Sequence, residues 1–486
     1  MKSSLIITIL LCLSVRVSAQ TDEFLKTYDE FKQQVQANYE DFRQKVNKEY
    51  ADWMRQAWEW HQKIEPMPRP KDDMLPPIIY NKEQQAEPKP VIYDEVVPAP
   101  EPQPQPKPIA PIRENEGDFQ VVTFQFFGTK GQVRLPKNFS FRINGKDEEA
   151  YATAWENLSS NQYDNLIRDC LVLRMEHQFC DWAYLMMLGM MSEAICGKGT
   201  NEATILQAYV FCQSGYKIRL GFTNNKDLRL LVKSEHIIYD LPGFRMNDGL
   251  YYLLQPTNDD GLNICDISYP EEKPLSLWIA QEQKFAEQTS KERQLTSESK
   301  QIAVKSQVNE NLLQFYNTYP TSMVGENIVS RWAMYANTPL SEKVREQLYP
   351  QLKAALKDSK SMEESADWLL HWVQTAFVYE YDDKVWGHDR AFFAEETLYY
   401  PYCDCEDRSI LYSRLVRDLL GLDVILVFYP GHLATAVSFK TPVNGDYINL
   451  NGKHFTICDP TYIGAPIGMT MPDMDNKTAK IILLGK

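Results

Sequence analysis

Three residues at even intervals could together break an amide bond. Cys405 stands in "YYPYCDCEDRSILYSRLVRDLLGL", His432 in "YPGHLATAV" and Asp459 in "ICDPTY", with 27 residues from each to the next. A thiol attacks carbonyls only as its thiolate, so it needs a base to take its proton and a third group to orient that base. Cysteine, histidine and acid supply those three types. Taken singly, each has a plainer reading: a small buried thiol, a strand histidine, a turn aspartate before Pro460. Only the triplet points to chemistry.

The residues around them predict the elements that would position them. Ile410, Leu411, Leu415, Leu419 and Leu420 recur at helical spacing, and Gly421 stands where helices commonly end. Asp404 can cap the start, with Glu406 and Asp407 in the first turn, where the helix dipole favours negative charge. Cys405 is therefore expected at the N-terminal tip of a mostly buried helix. There the dipole and free amides would stabilise a thiolate and offer an oxyanion donor. "LDVILVFYPGHLATAVSF" reads as a strand, a turn at Pro430-Gly431 and a strand beginning at His432. "GKHFTICDPTY" reads as a further strand ending in Asp459. Antiparallel pairing would set His432 beside Asp459 and against Cys405.

Other uses of the cysteines are weaker. Cys403 and Cys405 have one residue between them, not the two to four of zinc knuckles, and no second pair lies nearby, so no metal or cofactor is read. A Cys403–Cys405 disulfide would close a strained ring, and Cys403 with Cys458 is the better candidate bridge.

The stretches "ETLYYPYCDCEDRSILYSRLVRDLLGL", "YPGHLATAV" and "ICDPTY" resemble the transglutaminase-like superfamily of cysteine enzymes, over roughly residues 362–465. Bacterial proteins similar to this are described as transglutaminase-like cysteine peptidases or amidases. The resemblance implies an α+β, papain/transglutaminase-like domain at 362–486, a helix packed on an antiparallel sheet. It implies Cys405 as nucleophile, His432 as general base and acid, and Asp459 as the group orienting the imidazole. The implied reaction is acyl transfer from an amide of a protein or peptide substrate. Water as acceptor gives a peptidase or amidase, and a lysine amine gives a cross-linker; hydrolysis is the default. Cys403 departs from the family's glycine. Related enzymes draw a second oxyanion donor from an aromatic or glutamine upstream. "FVYEYDDKVWGHDRAFF" offers Tyr379, Tyr381, Trp386 and His388, with no clean match. The rival class is a non-catalytic binding or scaffold protein of the cell envelope that keeps the fold.

The rest of the chain reads as an exported, multidomain protein. Residues 1–19 carry Lys2, an apolar run over 5–14 and "VSA" before Gln20, a signal-peptide pattern that predicts a secreted, periplasmic or envelope location. "ILLC" lacks the small residue expected before a lipidated cysteine, which argues against Cys12 as an anchor. No later run approaches the about 20 apolar residues of a membrane span. A net charge of −15 argues against nucleic acid as a partner. Residues 20–63 hold three eleven-residue units that align Tyr28, Tyr39 and Tyr50, then Phe31, Phe42 and Trp53, then Val35, Val46 and Ala57, on one helical stripe. That helix either docks on its own domain or binds a second copy or an envelope partner.

Residues 64–116 form a proline-rich linker; the stretch 65–112 alone holds 14 of the 28 prolines and reads as an extended spacer. Residues 117–270 read as an α+β domain, and 271–361 as a helical connector. The first of these carries stretches that read either as a faint, degenerate copy of the C-terminal motif or as a chance likeness between two helix–strand–strand units. "GTNEATILQAYVFCQSGYKIRLGF", "KDLRLLVKS" and "NDGLYYLLQPT" align Thr200 with Cys405, Asp227 with His432 and Gln255 with Asp459. All three catalytic types are missing from this copy, which is expected to serve binding or structure.

Overall fold

Two six-stranded sheets, each with a long helix packed against it, carry the α+β architecture. The computed structural model describes residues 40–485 apart from 57, 72–74, 83–86, 100, 102–106, 109–111, 300, 326 and 475–477. The expected signal peptide, Cys12 and the first eleven-residue unit lie outside the described residues. Among them, no helix is long and apolar enough to cross a membrane.

The two sheets are built alike. The first runs Trp58–Gln62, Gly261–Cys265, Ile218–Phe222, Leu228–Lys233, Gly249–Leu253, Gly243–Met246. The second runs Tyr93–Val97, Ala479–Leu483, Asp423–Tyr429, His432–Ser438, Lys453–Cys458, Tyr447–Leu450. In chain order these are the same sequence of strands, and every pairing is antiparallel except that of Tyr93–Val97 with Ala479–Leu483. Each sheet curls until one segment touches both of its edges. Ile64, just past the first edge strand, bridges Gly243 at the far edge. Pro90, just before Tyr93–Val97, bridges Tyr447. Leu231, Phe244, Tyr251 and Ile264 fill the first curl, and Val427, Ala434, Ile457 and Ile481 the second. A helix precedes each central hairpin: Asn201–Gln213 in the first unit, Cys405–Leu420 in the second.

The N-terminal helix spans 40–54 and docks on the first unit. Its buried face is Arg43, Val46, Asn47, Tyr50, Ala51 and Met54, while Phe42 and Trp53 of the expected aromatic stripe point to solvent at 45% and 59% exposure. The docked face includes polar groups that the aromatic repeat hid. Arg43 pairs with Asp164 at 2.7 Å, and Asn47 accepts from the Trp155 indole at 3.0 Å. The helix does not run to 63, since Trp58–Gln62 is an edge strand.

Two further expectations change. The described part of the spacer over 64–116 is bonded to both units: Ile64 and Met67 to the first, and residues 75–80 and 89–97 to the second. Proline lacks a ladder donor and is tolerated at sheet edges, while Val91 and Val97 are buried there. The connector over 271–361 is helical only from Glu310–Asn317 onward, with further helices at Arg331–Asn337 and Glu342–Leu356. Residues 271–309 run extended around one hairpin, Arg293–Thr296 with Ala303–Ser306. Leu275, Leu277 and Ile279 are buried in alternation, a period of two that a composition rich in Glu, Lys and Gln does not announce. All eight cysteines from Cys170 onward are free thiols, so the Cys403–Cys458 bridge is not formed.

The Arg43–Asp164 pair is nearly solvent-free on both sides, at 2% and 4% exposure. Removing one partner of such a pair strands the other charge. Arg43→Ala is expected to lower unfolding stability by about 3–5 kcal/mol, read from the denaturant midpoint. A loss below about 1 kcal/mol would mean that the helix is not docked in this way.

Candidate active site

Local sequence places each of the three residues. Cys405 is the first residue of its helix; Asp404 precedes it in extended conformation, and Asp407 accepts from the Asp404 amide at 3.2 Å. Gly421 ends the helix at φ 65°, a left-handed conformation that favours glycine. Ile410, Leu411, Leu415 and Val416 are buried against the sheet and the neighbouring helices. Ser409 donates to the Leu433 carbonyl at 2.8 Å and ties the first turns of this helix to the His432 strand. His432 opens that strand, paired with Tyr429 across the tight Pro430-Gly431 turn. Asp459 follows the strand Lys453–Cys458 directly. Thr435 faces Cys458, so one further step sets Asp459 across from Ala434, on the His432 face.

The histidine and the aspartate meet. His432 Nε2 lies 2.8 Å from Asp459 Oδ2. The other carboxylate oxygen accepts the Thr461 and Tyr462 amides at 2.9 and 3.2 Å. Gln374, on the helix Met362–Ala376, donates to the Asp459 and Ala465 carbonyls at 3.0 Å and accepts from the Gly464 amide at 3.1 Å. The Asp459 loop is thereby fixed from two sides. The remaining ring nitrogen, His432 Nδ1, is buried with no hydrogen-bond partner. The backbone amide of Leu433, the residue after His432, acts on the Cys405 thiol and lowers its pKa. The structure thus brings His432 and Asp459 into contact and ties the head of the Cys405 helix to the His432 strand, with each of the three no more than 1% exposed.

The sulfur's surroundings differ from expectation. Burial pushes the Cys405 thiol well up, and the carboxyl groups of Asp404 and Glu406 add to this. The Leu433 amide opposes the shift without reversing it. Desolvation and the adjacent acids thus act against the thiolate expected at the helix tip. The thiol lies 3.8 Å from Glu406 Oε2. Burial likewise raises Asp404, Glu406 and Asp407, and holds Asp382 up at about 7. Fixed positive charges near these acids include Arg331, which pairs with Asp389 at 2.9 Å, and Arg390, which pairs with Glu396.

Two groups bring ligand-type atoms within 4.8 Å of one another: Asp404, Cys405 and Glu406, and Asp382, Asp389 and Glu406. The second set is all carboxylate, the donor type of hard divalent cations.

Of the four aromatic candidates upstream, Tyr379 is the one beside the sulfur. Val378–Tyr379 pairs in parallel with Tyr402–Cys403, and burial followed by Cys405 raises the Tyr379 phenol. Trp386 packs against Phe392 and Tyr400, and His388 is exposed. Sequence reasoning missed Gln374, which has no local motif. It read Glu406 only as a helix-dipole partner, although its place next to Cys405 could have marked it.

The first unit lacks this chemistry. Its strand register aligns Gln255 with Asp459 and Leu228 with Leu433. Thr200 is the helix cap, so the place of Cys405 belongs to Asn201, one residue on from the sequence alignment. Asn201 accepts the Leu228 amide at 2.8 Å, and the equivalent Leu433 amide acts on the Cys405 thiol. Asp227 pairs with Lys146 at 2.9 Å. An open cavity of about 490 Å³ lies there, lined by Trp182, Met186, Thr200, Arg229 and Gln255.

Comparison with protein-family models, with curated proteins and with solved structures finds no match for this chain.

One buried acid gives a pH test of this electrostatic picture. Glu395, wholly buried on the helix Ala394–Tyr399, accepts from the Ser341 amide and hydroxyl at 2.9 Å. Burial raises it from an ordinary 4.5 to about 7. Between those values the folded chain holds a proton that the unfolded chain has released, so stability falls as pH rises through that window. Glu395→Gln is expected to flatten the dependence and to add on the order of 1–3 kcal/mol at pH 8, read from urea midpoints. An unchanged slope would place Glu395 in contact with water.

Proposed function

We propose that this chain is an exported cysteine-dependent acyl-transfer enzyme of the transglutaminase-like type, hydrolysing amide bonds in proteins or peptides. The observation that carries the reading is the 2.8 Å bond between His432 and Asp459, with Cys405 at the head of a buried helix tied to the His432 strand. A carboxylate on Nε2 leaves Nδ1 as the base, and Nδ1 has no other partner.

In this mechanism Nδ1 takes the Cys405 proton and the sulfur attacks the amide carbonyl. The oxyanion is held by the Cys405 amide and the Tyr379 hydroxyl. His432 then gives its proton to the leaving amine and a thioester remains. Water, deprotonated by His432, attacks the thioester and releases acid and free thiol. Asp459 keeps the ring oriented and stabilises its charged form.

The first unit is, on this reading, a degenerate copy of the same fold. Shared strand order, shared register and the two equivalent curls support it. Its cavity suits a binding role, and the exposed Phe42 and Trp53 suit self-association or an envelope partner.

A second reading is a non-catalytic scaffold. The complete burial of Cys405 and its raised thiol favour that reading. Turnover separates the two, measured on internally quenched peptides of varied sequence. Cys405→Ala is expected to abolish cleavage, and Asp459→Asn to lower kcat by roughly 10²–10⁴-fold with little change in KM. Cleavage that survives Cys405→Ala would eliminate the enzyme reading.

A further inference from the structure

The cysteine is fully buried, and a segment of the chain's own linker bonds residues on two sides of it. Leu75 spans between two walls of the site. Its amide donates to the Gly431 carbonyl at 2.8 Å, next to His432. Its carbonyl accepts from the Tyr379 hydroxyl at 3.2 Å, beside Cys405. The chain then runs as a strand past the loop that holds Asp459. Ile79 bridges Ile463 in parallel, the Ile463 amide donates to the Ile78 carbonyl at 2.9 Å, and the Tyr80 amide donates to the Ile463 carbonyl at 2.9 Å. The Tyr80 ring meets Tyr462 edge-on at 5.4 Å, and Ile78 joins the same small apolar cluster.

We infer that residues 75–80 occupy the substrate groove as a tethered, strand-like ligand, so that the groove takes extended, apolar, uncharged peptide and stays closed until this segment leaves. The inference rests on the cysteine-enzyme reading for the word substrate; the occupancy itself does not. Main-chain bonds to a strand edge with alternating side-chain contacts are the usual mode by which extended peptides are held. Pro76 and Pro77 preset the extended conformation and lower its ordering cost. The segment Leu-Pro-Pro-Ile-Ile-Tyr carries no charge. Ile78 and Tyr80 sit in an apolar cluster with Tyr462, Ala465 and Met471, where a charged side chain would be desolvated without a partner. The contacts are few and peripheral to the main core, so the segment can lift away without unfolding the second unit.

The test compares full-length wild type with the double variant Ile78→Asp and Tyr80→Asp. Both are treated with iodoacetamide, and labelling at each cysteine is followed by peptide mapping. The variant is expected to label at Cys405 at least tenfold faster, with Cys170 and Cys458 unchanged. The synthetic peptide LPPIIYNK should restore protection, and LPPEEYNK should need at least tenfold more. An unchanged Cys405 rate, or a rise shared by Cys170 and Cys458, would overturn the inference. Adding His432→Ala keeps the two readings apart. Faster labelling that ignores His432, with no peptide cleaved, leaves the occupancy standing and removes the enzyme. Cys405-dependent cleavage with no effect of the double variant does the reverse.

Discussion

The hydrogen bond between His432 Nε2 and Asp459 Oδ2 is the contact on which the site depends. Polar groups buried this deeply cost stability unless they are hydrogen-bonded. Asp459 meets that condition through the Thr461 and Tyr462 amides on one oxygen and the imidazole on the other. The ring is left with one free nitrogen and one orientation. The pair is positioned by the Pro430-Gly431 turn, by the register of the His432 strand on Lys453–Cys458, and by the loop that the Gln374 side chain holds with three hydrogen bonds. A one-residue slip in that register would send Asp459 to the opposite face.

The helix tip supplies the third group under a competing constraint. Its dipole favours a thiolate, but burial of the sulfur and the carboxyl groups on either side favour the neutral thiol. Acids pushed up by burial surround the same spot, with Arg331 and Arg390 among the fixed cations nearby. Reactivity therefore depends on solvent reaching the sulfur. A site that is assembled yet closed is consistent with chain segments that pack over it from outside the unit.

Much of this was legible in local patterns. The Cys405 helix, its acidic first turn and its glycine end follow from capping and periodicity, and the His432 hairpin follows from its turn. The doubled strand order showed as a weak alignment, although Thr200 was matched where Asn201 belongs, because a cap and a first residue are indistinguishable without geometry. What stayed hidden depends on tertiary contact. The 40–54 face carries Arg43 and Asn47, which look like solvent-facing residues until Asp164 and Trp155 meet them. Proline content suggested a free spacer, yet residues 75–80 and 89–97 pair with the second unit by backbone bonds that composition does not encode. Residues 271–309 carry a helix-like composition but lack a 3.6 period, and burial in alternation decides their extended form.

The central claim is that Asp459 fixes the tautomer of His432 so that Nδ1 is the base toward Cys405. Nitrogen-15 and proton NMR of histidine-labelled protein tests it directly, since the chain has only seven histidines. The account predicts one exchange-protected ring N–H far downfield, on Nε2 of His432, that disappears in Asp459→Asn. A His432 ring protonated at Nδ1 alone, or one whose signal ignores Asp459→Asn, would contradict it.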